Sequence, residues 1–167
     1  MSTIISIPTD YGFAPLLHRV CAPLTRLSYV LASVVFSTVV STYHSFLVGR
    51  ARSAANVPYP NAYVSHAEAV ADINKYRFNC AQRAHHNFLE HYPAFLATAA
   101  VAGLKYPVAT AVMGVVWSLG RVVFAKGYIG STQEQKGSGR YKGAWYLLAE
   151  LGLLGTAAWT AWQMIMG

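Results

Sequence analysis

Charged residues are absent from several stretches of the chain that are long enough to cross a membrane. The run Leu27–Gly49 contains no Asp, Glu, Lys or Arg, and about 20 apolar residues span the hydrocarbon core of a bilayer. The run that starts at Val108 is uncharged up to Arg121, and the run from Gly143 to Met166 holds one charge. The pattern predicts an all-α integral membrane protein built as an up-down four-helix bundle. The helices are expected at about residues 25–50, 66–104, 107–129 and 142–166 of a single domain that covers residues 1–167.

The second predicted helix differs from the others because polar side chains occupy its first half. Four of them recur at spacings of three or four residues and therefore share one helical face: Asn79, Arg83, Asn87 and Glu90. Pro93 is expected to kink the helix, and the residues from Ala94 to Leu104 are almost purely apolar. Charged and amide side chains inside a membrane are costly and usually have a function. This polar stripe is therefore the first candidate site.

Basic residues are concentrated in two connections of the predicted bundle. The loops Ser53–Val64 and Ser131–Lys142, with the helix ends beside them, hold most of the Lys and Arg, whereas the opposite side holds Arg19, Arg26 and Lys105. Cytoplasmic loops carry such an excess, so both loops are predicted in the cytosol and both termini on the far side. Residues 1–23 contain three prolines and are expected to form an irregular or interfacial lead-in.

Composition supports a membrane protein and argues against other classes. Hydrophobic residues make up 54% of the chain and charged residues 11%, against about 25% charged in soluble domains. The net charge of +7 is scattered and the aromatic residues lie inside apolar runs, so no nucleic-acid partner is expected. Cys21 and Cys80 make no disulfide framework. His85 and His86 are adjacent and point to different sides of a helix, so both cannot join Glu90, and no metal site is expected.

The polar inventory matches a ligand that carries both signs of charge. Guanidinium groups bind carboxylates at two points, and a carboxylate such as that of Glu90 binds an ammonium group. These residues suit a zwitterionic ligand that bears a carboxylate and an amine. The alternative is structural, because polar side chains inside a membrane also pair with one another and join helices. The inventory comprises Arg52, Arg83, Arg121 and Arg140, with Asn79, Asn87, Glu90 and Tyr128.

The segment FNCAQRAHHNFLEHYPAFL, Phe78 to Leu96, resembles the signature of the MAPEG family, the membrane-associated proteins of eicosanoid and glutathione metabolism. It is most similar to the branch of microsomal glutathione S-transferases of the third type, which resembles leukotriene-C synthase. The resemblance covers most of residues 49–160. Its supporting pieces are YGF (Tyr11–Phe13), VPYPNAYV (Val57–Val64), GRVVFAKGY (Gly120–Tyr128) and LLAELGLLGT (Leu147–Thr156).

This resemblance implies a left-handed four-helix membrane bundle that assembles as a homotrimer and binds glutathione at subunit interfaces near the cytosol. The endoplasmic reticulum is the expected membrane, with the outer mitochondrial membrane as the alternative. Phe124 stands where relatives usually carry a tyrosine, and His91 stands where the leukotriene-C synthase branch has an aromatic contact. The implied glutathione-binding positions are Arg52, Arg83, His85, Asn87, Glu90, Arg121 and Tyr128.

The implied reaction uses the thiolate of glutathione, which a nearby cation favours by lowering the pKa of the thiol. Lys136 and Arg140 are the candidate cations; Arg140 is favoured, and Tyr128 is the second expected catalytic residue. Attack on a lipophilic electrophile gives conjugation, and attack on a lipid hydroperoxide gives peroxidase activity. A non-catalytic lipid-binding scaffold of the lipoxygenase-activating type is the second hypothesis. A transporter or channel is the third, and it is disfavoured because the polar stripe stops at Pro93.

Overall fold

The computed structural model describes the backbone of residues 13–167 and the side chains of residues 26–167. The described residues form helices and no strands, so the predicted all-α class is confirmed. Four long helices are joined by loops and two short helices. In chain order they are α1 (Phe13–Ala54), α2 (His66–Ala71), α3 (Ile73–Gly103), α4 (Pro107–Ile129), a 3₁₀ helix (Ser138–Gly143) and α5 (Tyr146–Met166).

The first helix begins earlier than the sequence predicted. We expected an irregular lead-in through residue 23 and a helix from about residue 25, whereas α1 already begins at Phe13. Pro15 lies in the first turn of α1, where a backbone N–H has no partner within the helix, so proline is tolerated there. The prediction for residues 1–12 lies outside the described residues.

The second predicted helix is two helices, α2 and α3, separated at Asp72. The backbone of Asp72 is extended, with φ −136° and ψ 118°, and its side chain accepts a hydrogen bond from the Asn74 amide at 2.8 Å. Ser65 and Glu68 form a capping box that begins α2. The break occurs because the Asp72 side chain caps the first turn of α3, and a residue in this capping conformation does not continue the preceding helix α2.

The membrane prediction holds for two of the four long helices. Arg26–Ala54 of α1 and Pro107–Ile129 of α4 are each long and apolar enough to cross a membrane. The outward faces of the long helices carry exposed aliphatic side chains, as on α1 at Leu31 and Val35 and on α5 at Leu148. Exposed apolar surface of this extent suits lipid as the surrounding solvent.

Packing places α4 against α1, α3 and α5, while α3 also contacts α1 and α5. A cluster of aromatic side chains fills the space between these helices. At its centre the rings of Phe95 and Trp117 stack, with their centroids 4.2 Å apart. Gly114 allows α1 and α4 to approach closely, because a Cβ at that position would lie 2.8 Å from Ser33 Oγ. Close approach at small residues is a usual way for helices to pack in lipid.

Both predicted cytosolic loops lie at one end of the molecule, which we call the loop end and define by residues 55–65 and 130–145. Gln133 of the second loop donates hydrogen bonds to the carbonyl oxygens of Ala69 and Val70 in α2, at 2.7 and 3.1 Å. These bonds join segments that are more than 60 residues apart. The polar half of α3 lies at this same end, because α3 starts immediately after α2.

Candidate functional site

The polar stripe of α3 forms a connected set of charged groups. Arg83 donates hydrogen bonds to both carboxylate oxygens of Glu90, at 2.7 and 3.4 Å. Asn87 donates to Glu90 at 3.3 Å. The side chains of Arg83 and Glu90 are 49% and 51% exposed, so the pair remains accessible to a ligand. The helical spacing that the sequence predicted therefore brings these three residues together.

Arg121 extends this set from α4 into the interior. Its side chain is fully buried, and one terminal nitrogen donates to Asn87 Oδ1 at 3.0 Å. Its Nε and other terminal nitrogen have no hydrogen-bond partner in the described part of the chain. Aromatic rings surround the guanidinium at distances typical of cation–π contacts. Their centroids lie 4.3 Å (Tyr146), 5.0 Å (Phe124), 5.5 Å (Phe88) and 5.7 Å (Trp117) from its Cζ.

A cleft of about 680 Å³ opens at the loop end beside the stripe. One wall comes from α2 and the residues before it, the opposite wall from α3, and the rest from α4 and the segment after it. Arg83 lines this cleft, so the charged stripe borders it directly. Because the family resemblance implies a tripeptide ligand, we call it the peptide cleft. Its polar lining side chains include Tyr63, Tyr76, Asn79, Arg83, Tyr128 and Lys136.

Polar side chains of α3 hold the wall of the peptide cleft in place. The amide of Asn79 donates to the Val64 carbonyl and accepts from the Val64 N–H, both at 3.0 Å. Gln82 donates to the Ala62 carbonyl at 2.7 Å. Asn79, which the sequence grouped with the ligand-binding stripe, thus has a positioning role in this structure. No sequence pattern pointed to Gln82.

Tyr63 stands at the mouth of the peptide cleft, outside the membrane-spanning helices. Its hydroxyl shares a hydrogen bond of 2.9 Å with His86 Nδ1. Partial burial raises the pKa of the Tyr63 phenol, so the phenol stays protonated over the physiological range and can donate a hydrogen bond. Sequence reasoning missed this residue, because a tyrosine in a loop has no distinctive spacing.

Tyr128 lines the peptide cleft, and Arg140 stands behind it. The guanidinium Cζ of Arg140 lies 5.1 Å from the centroid of the Tyr128 ring. Its nitrogens donate to the carbonyls of Lys136 and Gly137, at 3.2 and 2.9 Å, and to the Tyr141 hydroxyl at 2.8 Å. Lys136 itself lines the cleft. Both candidate cations are therefore near Tyr128, and Lys136 is the more open of the two.

Arg52 lies apart from the stripe within one chain. It donates to the carbonyls of Pro58 and Asn61, at 3.4 and 2.8 Å. Its guanidinium Cζ lies between two rings, 4.3 Å from the Tyr59 centroid and 4.7 Å from the Phe78 centroid. These contacts close the loop after α1.

His85 also faces away from the peptide cleft. Its ring lies 6.3 Å from that of His44 on α1, centroid to centroid, and its buried Nδ1 has no hydrogen-bond partner in the described part of the chain. The structure therefore brings five of the seven predicted binding residues to the stripe and the cleft, and leaves Arg52 and His85 elsewhere in the same subunit.

A second ion pair lies deeper along α3. His91 Nδ1 donates to both carboxylate oxygens of Glu150 on α5, at 2.9 and 3.0 Å. Trp117 Nε1 donates to the same carboxylate at 3.2 Å. Sequence reasoning did not pair these residues, although a lone charge on an apolar helix requires a partner. That requirement was the available signal, because Glu150 is the one charge of α5.

Residues 26–167 contain no group of three or more His, Cys, Asp or Glu side chains placed to hold a metal ion. The polar stripe and the cleft beside it offer guanidinium, carboxylate, amide and phenol groups. Such groups bind and orient charged organic ligands.

The described residues are helical, two of their helices are long and apolar enough to cross a membrane, and a charged site lies near the loop end. These features indicate the class of helical membrane proteins. The family is more specific: residues 30–162 match the MAPEG family, and the chain is a member of it. The MAPEG family covers glutathione transferases and related proteins. This match confirms the family resemblance, and together with the two apolar helices it supports a membrane protein.

Proposed function

We propose that this protein is a membrane-bound glutathione transferase or peroxidase, which conjugates glutathione to lipophilic electrophiles or reduces lipid hydroperoxides. The observation that carries the proposal is the connected set Arg83, Asn87, Glu90 and Arg121 beside the peptide cleft. Glutathione is the co-substrate, and no metal takes part. In the same proposal the four long helices form a membrane bundle, and three copies of the chain form a homotrimer.

The charged groups of glutathione have complementary partners in this set. Glutathione carries two carboxylates, one ammonium group and one thiol. Arg83 offers a fork for a carboxylate, and Glu90 offers an acceptor for the ammonium group. Arg121 fixes the orientation of Asn87 through its hydrogen bond of 3.0 Å. Tyr128 contacts the tripeptide from the other side of the peptide cleft, which Arg83 and Tyr128 both line.

In this proposal Arg52 contributes to a site between subunits. Within one chain Arg52 closes a loop and His85 faces α1, so neither lines the peptide cleft. The family resemblance implies that glutathione binds where subunits meet, and Arg52 lies at the loop end. In the proposed trimer Arg52 would serve the site of a neighbouring copy, whereas His85 packs against α1 of its own chain.

The reacting group is the thiolate, because the thiol itself is a weak nucleophile. Arginine keeps its charge and cannot accept the proton, so Arg140 stabilises the anion and the proton leaves to water. Tyr128 lines the cleft with Arg140 against its ring, and in this proposal its phenol donates a hydrogen bond to the sulfur. The apolar co-substrate enters from the bilayer, which surrounds the exposed aliphatic faces of the helices.

The decisive test measures the ultraviolet absorption of thiolate when glutathione binds to the purified protein. We expect the band to rise with glutathione and to stay absent with S-methylglutathione, since the analogue has no ionisable thiol. Arg140→Ala should lower the band and the turnover together while tripeptide binding persists. If Lys136→Ala abolishes the band and Arg140→Ala does not, the enzyme assignment stands and the choice of Arg140 is wrong.

The competing function is a lipid-binding scaffold without catalysis. Glutathione that binds without a thiolate band, or does not bind at all, would favour the scaffold. Activity on a halonitrobenzene and on a lipid hydroperoxide then separates conjugation from peroxidation. The intact stripe Arg83, Asn87 and Glu90 supports the enzyme, because a scaffold has no need for a ligand site of this charge pattern.

In the proposed orientation the loop end faces the cytosol. The proposed membrane is that of the endoplasmic reticulum, with the outer mitochondrial membrane as the alternative. The support is the excess of Lys and Arg at that end. A glycosylation acceptor introduced at Ser138 should remain unmodified in microsomes. Efficient glycosylation there would reverse the orientation.

A further inference from the structure

A second cleft lies at the loop end, between the last turn of α4 and the segment that leads into α5. It has a volume of about 330 Å³, and none of its lining residues is acidic. Lys126 and Lys142 line it together with Gln135 and Ser138, which add donors of hydrogen bonds. No residue that lines this basic cleft also lines the peptide cleft. It is therefore a separate site.

The walls of the basic cleft are fixed by close backbone contacts. Ser131 Oγ donates to the Gly127 carbonyl at 2.8 Å and accepts from the Gly139 N–H at 3.0 Å. Gly127 and Gly139 face each other so closely that a Cβ on either would collide with the carbonyl oxygen of the other. The segment after α4 is thereby held against the helix end, and Lys142 of this segment lines the same cleft as Lys126 of α4.

The two lysines have no acidic partner within residues 26–167. The ion pairs of this part of the chain join other residues, namely Lys75 with Glu68, Arg83 with Glu90 and His91 with Glu150. Glu134 belongs to the same loop, but it neither lines the basic cleft nor pairs with a described cation. The Lys126 ammonium lies 6.0 Å from the centroid of the Tyr43 ring. Two cations that share a cleft without a counter-ion call for an anionic ligand.

The position of the cleft identifies the kind of anion. Lys126 is three residues from the end of the apolar helix Pro107–Ile129, which places it at the edge of the hydrocarbon region. Tyr141 and Trp145, on either side of Lys142, are 63% and 38% exposed. Exposed Tyr and Trp at the ends of membrane helices mark the level of the lipid headgroups. The anionic group that is concentrated at that level is a lipid phosphate.

We propose that the basic cleft binds the headgroup phosphate of an anionic glycerophospholipid. The ammonium groups of Lys126 and Lys142 pair with phosphate oxygens, Gln135 and Ser138 donate hydrogen bonds to the headgroup, and the acyl chains lie along the exposed apolar faces of the helices. Basic pockets beside membrane helices recognise lipid headgroups in this way. This proposal requires that the protein is inserted in a membrane, and it does not depend on whether the protein binds glutathione.

The test uses the full-length protein in phosphatidylcholine bilayers that contain spin-labelled lipid as the probe. The measured quantity is the association of spin-labelled phosphatidylinositol relative to spin-labelled phosphatidylcholine. A preference of roughly fivefold per lysine, or about thirtyfold for the pair, is the upper range expected for two cations at an anionic surface. Lys126→Gln with Lys142→Gln should remove this preference, and Lys126→Arg should preserve it because the charge is kept.

Two matched variants control for general charge. Lys105→Gln removes a cation at the opposite end of α4, and Lys136→Gln removes one from the same loop but from the other cleft. Both should retain the preference. An unchanged preference in the double variant overturns the proposal, as does an equal loss in Lys105→Gln. Displacement of the labelled lipid by inorganic phosphate at similar concentration would overturn the lipid assignment and indicate a site for soluble phosphate. Glutathione binding, measured in parallel, should be the same in the double variant and the parent.

Discussion

The two halves of the molecule satisfy their polar groups in different ways. In the half that is far from the loop end, hydroxyl groups bond to their own helix, as Ser33 does to the Val30 carbonyl and Thr98 to the Ala94 carbonyl, both at 2.8 Å. At the loop end, side chains bond to distant segments, as Asn79 does to Val64. The far half is thus joined mainly by shape and apolar contact, with Tyr106 donating to Gln163 at 3.2 Å, whereas the loop half has more polar bonds between segments. The residues of the candidate site belong to the second arrangement.

This difference predicts the largest effect for the loss of a charged residue in the loop half. Arg83→Ala should weaken glutathione binding by about 2–3 kcal/mol, because a carboxylate of the ligand loses its partner. Arg83→Lys should also bind poorly, since it lacks the fork. Titration calorimetry on the assembled protein measures the affinity. Arg77→Ala, an exposed arginine on the same helix, is the matched control and should bind normally; unchanged affinity in Arg83→Ala would remove Arg83 from the site.

The second prediction concerns the boundary between the two halves, where the Glu150 carboxylate accepts hydrogen bonds from His91 and Trp117. Glu150→Leu leaves both donors without an acceptor and should lower the free energy of unfolding by about 1–3 kcal/mol. Glu150→Gln keeps an acceptor oxygen and should cost less. Thermal unfolding in detergent measures both variants. A Glu150→Leu protein more stable than the parent would show that the cost of burying the carboxylate exceeds the value of its bonds.

The third prediction tests packing by shape in the far half. Gly114→Ala should destabilise the fold by about 1–2 kcal/mol through overpacking, because the new methyl group would lie 2.8 Å from Ser33 Oγ. Gly155→Ala is the control, since no atom lies within 4 Å of a Cβ built there. That change should be neutral or slightly stabilising, as alanine favours a helix. Equal melting temperatures for the two variants would contradict close packing at Gly114.

The smallest effect is expected at Glu68, outside the membrane. Hydrogen bonds from Lys75 and from Ser65 lower the pKa of the Glu68 carboxyl to about 2. A lowered folded-state pKa means that its contribution to α2 is present above the ordinary pKa of 4.5 and is lost as the pH falls towards 2. Carboxyl NMR should follow this titration. Lys75→Met should move the midpoint upwards, and an unmoved midpoint would show that Lys75 has no part in the shift.

The periodic features of the structure were predictable from the sequence. The apolar runs gave α4 and α5 nearly to their ends, because both helices are bounded by a proline or by glycine-rich polar segments. The stripe Arg83, Asn87 and Glu90 followed from the helical spacing alone. Arg121 joins it because its position on α4 lies at the same level of the bundle.

Other features of the structure depend on contacts that do not follow a regular spacing of residues along the sequence. The break at Asp72 arises because this residue both ends α2 and caps α3. The start of α1 at Phe13 was missed because the prolines near it usually mark loops. The roles of Arg52, Asn79 and Gln82 depend on where the loop after α1 turns back, which spacing along a helix does not reveal. The pairing of His91 with Glu150 required knowing which face of α5 meets α3.

The ion pair between Arg83 and Glu90 also sets a rule for which ligands can enter. Each group already has a partner, so a newcomer must replace one partner for each group that it takes. A molecule with only a carboxylate would leave Glu90 without a cation, and one with only an amine would leave Arg83 without an anion. Only a ligand that brings both groups replaces both partners at once. The pair thus discriminates against singly charged solutes before any fit of shape is considered.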